Sequence, residues 1–289
     1  MNAIDQIPEG NFVARVQEAI LLKQSPNETD RSAHLGRYVT ALEMIRGIAK
    51  PDLRVVDVAS FGTIVPALRT VLGMKDVTAT GIPWEGKAAH EEIRFPVTPE
   101  GDAIVCPFDR FDIEGSFPYA DGTFDLVILT EVLEHITRDP MHTIGEISRI
   151  TKPGGWLLLS TPNCSSLRSV IKALRGHQPC LWAQYSALGH RDRHNREYTA
   201  SEVIALLEDA GYQIVRVVTR DDSYGAASSR TKRCLKWFAN RALALASLMA
   251  GHYVPPRLRG ESTFALVRKC TAVKTRYPEF LYYERDAAK

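Results

Sequence analysis

Two histidines and a neighbouring glutamate are the residues whose type and spacing could move protons. Glu131, Glu134 and His135 close the run FDLVILTEVLEHI, and His194 opens the run HNREYT. Imidazole titrates near neutral pH, which suits a general base. His135 and His194, with Glu134 beside them, are therefore the candidate catalytic set. Residues 124–129 are a short apolar run of β-formers, the mark of a strand buried on both faces. Thr130 and Glu131 end it, and residues 132–136 begin a helix. In open α/β sheets, ligands bind outside the carboxyl ends of the strands. Thr130, Glu131, Glu134 and His135 fall at such an end. Thr161, Pro162 and Asn163 close another strand at the same edge, so both strand ends would line one cleft.

The other elements must carry that cleft. Helical spacing of apolar residues predicts helices over 11–23 and 34–49, separated by the polar linker SPNETDRSA. Residues 53–58 read as a buried strand ending near the acid Asp57. A turn over 59–63 leads into a helix from Pro66 to Leu72, and proline suits a first helical turn. Strands follow at 76–82 and 104–108, with a long segment of undecided structure, 83–103, between them. After His135 the helix continues through 141–150, and Lys152-Pro153-Gly154-Gly155 breaks it. Strands at 156–160 and 212–218 flank a helix that starts at Thr199. That residue and Glu202 form a capping box, and Gly211 caps the far end. Residues 164–196 mix aromatic side chains with Arg168, Arg191, Arg193, Arg196 and other cations, a surface suited to sugars or anions. Residues 221–259 stand apart as an insertion, holding a helix that starts basic and becomes apolar nearly all round. Burial is the plain expectation for that helix. Pairing with a second subunit and peripheral membrane contact are the alternatives. A last strand covers 261–269. The expected organisation is a helical cap over 1–50 and a core over 51–289.

Composition narrows the partners. The chain has 289 residues, 45% of them hydrophobic, enough for a large core. A formal charge of +2 gives no electrostatic case for nucleic acid. Five cysteines with no C-x-x-C argue against a disulfide framework or zinc site, so no metal is expected. The N-terminal MNAIDQIPEG lacks the pattern of a signal peptide. No apolar run approaches the roughly 20 residues of a membrane span. A cytoplasmic protein is the expectation.

FPYADGTFDLVILTEVLEHI, with TKPGGWLLLSTPN downstream, resembles the fourth- and fifth-strand motifs of class I S-adenosylmethionine-dependent methyltransferases. It looks most like the bacterial subgroup acting on small molecules and sugars, and the resemblance covers about residues 54–214. It implies an α/β, doubly wound seven-stranded Rossmann-like sheet of order 3-2-1-4-5-7-6, with the last strand antiparallel. The N-terminal helices would cover the cofactor. By the same resemblance S-adenosyl-L-methionine is the cofactor, and the turn with Ala59, Ser60 and Gly62 cradles its methionine end beside Asp57. Ile82 stands where an acid usually bonds the ribose, with Glu85 the nearest acid. The Asp112 carboxylate would take the adenine amino group and the Ile113 N–H a ring nitrogen, while Thr130 completes the strand-end series. The turn departs from the family, because Ala59 and Phe61 stand where glycines are usual. Only glycine adopts every φ without steric cost, so a tighter or displaced approach to the ligand is expected.

Methyl transfer to a hydroxyl of a small-molecule or glycan acceptor follows as the functional expectation, with nitrogen or carbon acceptors as alternatives. A nicotinamide oxidoreductase would want a G-x-G-x-x-G turn and a ribose acid, and neither is present. A catalytically silent binding protein of the same fold remains the other class. Oligomeric state is not readable.

Overall fold

Successive residues of the central strands point to opposite faces of the sheet, and both faces are apolar. Val55, Leu126, Ile128 and Leu158 pack into one buried cluster. Their neighbours Val56, Val127, Leu129 and Leu157 pack into the other. Such strands are found in parallel sheets covered on both sides. The computed structural model describes residues 9–21, 28–96, 102–179, 193–221, 230–270 and 277–282.

The strands are β1 (Arg54–Val58), β2 (Asp76–Gly81), β3 (His90–Pro96), β4 (Ala103–Arg110), β5 (Phe124–Thr130), β6 (Thr151–Pro162), β7 (Tyr212–Arg220) and β8 (Ser262–Lys269). They form one eight-stranded sheet of order β3-β4-β2-β1-β5-β6-β8-β7. β4, β2, β1, β5 and β6 run parallel. β8 runs antiparallel to β6 and β7. Helices α1 (Glu9–Leu21), α2 (Glu28–Ile45) and α3 (Val65–Thr70) share one face, where Phe12, Val16, Ile20, Leu42, Ile45 and Leu68 join the core. Helices α4 (Pro140–Ile150) and α6 (Ala200–Asp209) cover the other through Ile144, Ile147, Val203 and Leu206. The sequence-predicted cap thus shares the apolar layer of the sheet it covers.

Several expectations need correction. The sheet has eight strands, because the segment 83–103 contains β3, paired antiparallel with β4 at the sheet edge. Its pattern HEEIRFP buries only Phe95, as suits an edge strand with a wet face. Without β3 the order reduces to the expected one. The KPGG run does not separate α4 from its strand but belongs to β6. Gly154 takes φ +73° there, and the pairing with β5 shifts register between Phe124 and Leu126. A helix does not run on from Val132. Leu133–His135 form a single 3-10 turn, and α4 starts afresh at Pro140, where the Asp139 carboxylate accepts from Met141 N and His142 N. Much of the linker SPNETDRSA is the first turns of α2, while residues 22–27 lie outside the described residues. The capping box at Thr199 and Glu202 is present as expected. Two further helices are α5 (Leu167–Leu174) and α7 (Arg230–Met249). The buried setting expected for α7 is not found, since of its described side chains only Ala244 is buried.

Candidate active site

At the carboxyl ends of β1, β2 and β5 lies a cavity of about 630 Å³. Ala59, Ile82, Asp112, Ile113 and His135 line it, together with Phe61, Glu114, Glu131, Val132, Ile136, Thr137, Arg193 and Asn195. Five of the eleven sequence-predicted site residues are therefore on its wall. Asp57, Ser60, Gly62, Thr130, Glu134 and His194 are not among the lining residues. Asp57, Thr130 and Glu134 are buried.

The turn after β1 keeps a left-handed backbone without the usual glycines. Ala59 has φ +59°, Phe61 +55° and Gly62 +72°. For an L-residue the left-handed region costs about 1–2 kcal/mol. Local bonds hold it: Ala59 N donates to Thr80 Oγ1 at 2.8 Å, and Phe61 N donates to Thr80 O at 3.1 Å. Ser60 Oγ donates to the buried Asp57 carboxylate and accepts from Gly62 N. A Cβ on Gly62 would stand 2.3 Å from the Phe95 ring, so glycine is required there by space as well as by φ. The Phe61 ring lies against Gly81, where a Cβ would come within 3.0 Å of it. Ala59 and Phe61 therefore adopt the left-handed conformation that glycines usually supply in such a turn.

On the facing wall, Asp112 is exposed and pairs with Arg138 at 2.7 Å, while it accepts from Glu114 N at 2.9 Å. Glu114 is partly buried, which opposes its charge, yet Thr137 and Arg138 donate to it from backbone and side chain and hold it below the ordinary carboxylate range. Ile82 is on the wall at the end of β2. Glu85 is exposed and is not among the lining residues.

Glu131 is the acid that β5 delivers to the cavity, again in a left-handed conformation at φ +56°. It accepts from Arg37 at 2.7 Å and from Ser160 Oγ at 2.7 Å. Behind it, Glu134 is sealed from solvent and accepts from Thr161 Oγ1 at 2.8 Å. Burial, then the charge of Glu131, pushes Glu134 well above the ordinary glutamate value, towards its protonated form. Its Oε1 lies 4.0 Å from His135 Nε2 and 3.9 Å from His194 Nε2. The two imidazoles meet edge to face at 4.9 Å. His194 Nδ1 lies 2.7 Å from the buried Glu197 carboxylate. A short parallel bridge between Asn163 and Tyr198 holds the 194–199 run against the end of β6. Asn195 ties that run to the 3-10 turn by donating to Glu134 O and His135 O.

The structure thus gathers all three sequence-predicted catalytic residues, from positions sixty apart in the chain. One ligand atom each from Glu134, His135 and His194 falls within 4.8 Å of the others, a set able to hold a divalent cation. The sequence held no metal-ligand spacing that announced it. Sequence reasoning also did not select Arg37, Glu131, Arg193, Asn195 or Glu197 as site residues. Glu131 was findable from its place at the strand end, but nothing local marks Arg37, which comes from α2. Arg196 pairs with Glu202 at 2.8 Å and is not among the lining residues. Arg191 lies outside the described residues.

Comparison with known proteins agrees with this architecture. A family model described as a methyltransferase domain matches residues 72–217. The ubiquinone biosynthesis O-methyltransferase of Burkholderia pseudomallei is 28% identical over 171 residues, covering 58% of this chain and 67% of that protein. Its counterpart in Colwellia psychrerythraea is 27% identical over 184 residues, with 64% and 70% covered. Among solved structures, a chain from the complex of a Haloferax volcanii methyltransferase with its activator superposes with TM-score 0.53 at 15% identity, covering 90% of this chain and 98% of that one. A SAM-dependent methyltransferase from Thermotoga maritima gives 0.50 at 17% identity, covering 84% and 95%. These two share the fold.

Proposed function

This chain belongs to the methyltransferase-domain family and is a SAM-dependent methyltransferase, and we propose that it methylates a hydroxyl oxygen of a small acceptor, a sugar, seated beside His135. The observation that carries this reading is His135 on the wall of a cavity that Ile82, Asp112 and Ile113 also line, with His194, Glu134 and Glu197 clustered behind it. In this arrangement Asp112 and Ile113 would hold the adenine, and the turn at 59–62 beside Asp57 would hold the methionine end.

The cofactor supplies the reactive methyl group. The protein aligns an acceptor lone pair with the S–CH₃ bond and excludes water. When bound, the cofactor would give up that methyl as the acceptor oxygen forms the new C–O bond and the S–C bond breaks, leaving S-adenosylhomocysteine. The hydroxyl proton passes to imidazole, and His135 is the one of the two on the cavity wall. Glu197 fixes the orientation of His194, whose ring backs His135. Arg193 and Asn195 are polar residues on the wall that a polyhydroxylated acceptor would meet, and Phe61 and Val132 offer apolar surface for a sugar face. The O-methyltransferase relatives support oxygen as the receiving atom.

A second reading rests on the same ligand atoms. Glu134, His135 and His194 would hold a divalent cation that acidifies the acceptor hydroxyl, with no imidazole acting as base. Labelled-methyl transfer to a panel of sugars, phenols and amines tests the acceptor. Label only in phenols or amines ends the sugar reading and leaves methyl transfer intact. Turnover abolished by a chelator and restored by a divalent ion selects the second reading over the first.

A further inference from the structure

We infer that α7 is a docking helix for an anionic lipid surface. The feature is independent of the acceptor. Leu235, Phe238, Ala242, Leu245 and Met249 recur at the three-and-four spacing that aligns one stripe of a helix. That stripe faces away from the body: Leu235 is 70% exposed, Phe238 65%, Leu245 59% and Met249 83%. The opposite side holds the helix in place through buried Ala244, half-buried Leu243 and Ser247, and the ion pair of Lys236 with Asp221. An apolar stripe pointing outward on an anchored helix is the reverse of the usual arrangement. Burial of that stripe against something apolar is the natural completion.

Charge selects the occupant. The helix sequence RTKRCLKWFANRALALASLM carries five cations and no acid. Exposed Arg241 flanks the stripe, and its guanidinium stacks on the Trp237 ring at 3.8 Å to its centroid. Basic residues beside Trp and Phe, with aliphatic residues further along, suit the headgroup zone of an anionic bilayer. A second copy of this helix suits it poorly, because pairing the two would set one basic, acid-free helix against another. Among the described residues no helix is long and apolar enough to cross a membrane, so α7 would lie in the plane of the surface. Each cation brought to an anionic surface changes partitioning about fivefold. Attachment of this kind is reversible and weakens with salt.

Flotation of the full chain with vesicles is the test. Vesicles of phosphatidylcholine with phosphatidylglycerol should carry the protein up the gradient, and pure phosphatidylcholine should not. Raising salt from about 0.1 M to about 0.5 M should release it. The double change Phe238→Glu with Leu245→Glu should cut binding by more than roughly tenfold, and Arg241→Gln by about fivefold. Unchanged circular dichroism and S-adenosylhomocysteine binding would show that the variants fold. If the glutamate variant misfolds, the glutamine variant carries the test. Absence of binding to the anionic vesicles overturns the inference. So does equal binding to both vesicle types, and so does a concentration-dependent dimer without vesicle binding, which would assign the stripe to a second copy.

Discussion

Arg37, from the helical cap, reaches over the carboxyl edge of the sheet and donates to Glu131 at 2.7 Å, and both side chains are largely buried. The bond joins α2 to the first residue after β5, on the wall of the cavity. It also pins Glu131 in its left-handed conformation. Removing one partner of a buried ion pair strands the other and costs about 3–5 kcal/mol. Residual exposure of this pair lowers that to about 2–3 kcal/mol. Arg37→Ala should therefore lose stability of this order in urea unfolding. Because Glu131 faces the cavity, cofactor affinity should fall too. An unchanged unfolding midpoint would show that the cap does not depend on this contact.

The strained turn makes a prediction of the opposite sign. Ala59→Gly relieves about 1–2 kcal/mol of left-handed strain and gives back about 0.4–1 kcal/mol to the freer unfolded chain. A net gain of about 0.5–1 kcal/mol is expected from these two terms. Phe61→Gly should not gain, because it also loses the ring packed on Gly81. Equilibrium unfolding of both variants checks the contrast. Destabilisation by Ala59→Gly would mean that the alanine methyl contributes more than its strain costs.

Glu134 predicts a dependence on pH. Burial, reinforced by Glu131, raises its folded value above the ordinary 4.5. The stability due to that group is then complete below 4.5 and is lost as pH rises through the folded value. Glu134→Gln keeps a neutral side chain at all pH. Relative to this variant, wild type should lose stability with rising pH, at a slope of up to about 1.4 kcal/mol per pH unit. Unfolding curves for both proteins across the weakly acid and neutral range give the difference. A difference that stays flat would place the carboxylate's compensation elsewhere.

The strands and the strand-end acids were legible because buried parallel strands and their polar ends leave local signals, while the strand order came from the family resemblance. β3 was not, since an edge strand with one wet face reads as HEEIRFP, without an apolar run. The three candidate catalytic residues were each legible as residue types, but their convergence was not. Glu134 and His194 meet only because Tyr198 bridges to Asn163 and Asn195 caps the Glu134 carbonyl. Arg37 and Glu197 were invisible for the same reason: their roles depend on partners 94 positions away in the first case and on an enclosing fold in the second. The left-handed backbone at Ala59 and Phe61 could not be read from residues that disfavour it.

The histidines separate by position. His135 is on the cavity wall, and His194 stands behind it against Glu197. His135→Ala should lower turnover by about 10²–10⁴, the usual worth of a general base. His194→Ala should lower it less, and Glu197→Gln should resemble His194→Ala in its pH–rate profile. Single-turnover rates of methyl transfer measure all three. A larger loss at His194 than at His135 would exchange their roles.

Binding of S-adenosylhomocysteine tests the central claim most directly, because it asks whether the cavity at the carboxyl ends of β1, β2 and β5 is the cofactor site. Calorimetric titration should give one saturable site per chain. Asp112→Ala should weaken it by about 1–3 kcal/mol, the cost of leaving a ligand's polar group unpaired. Glu85→Ala should leave it unchanged, since Glu85 is exposed and is not among the residues lining the cavity. No heat of binding at millimolar ligand, or a loss at Glu85 that exceeds the loss at Asp112, would contradict the account.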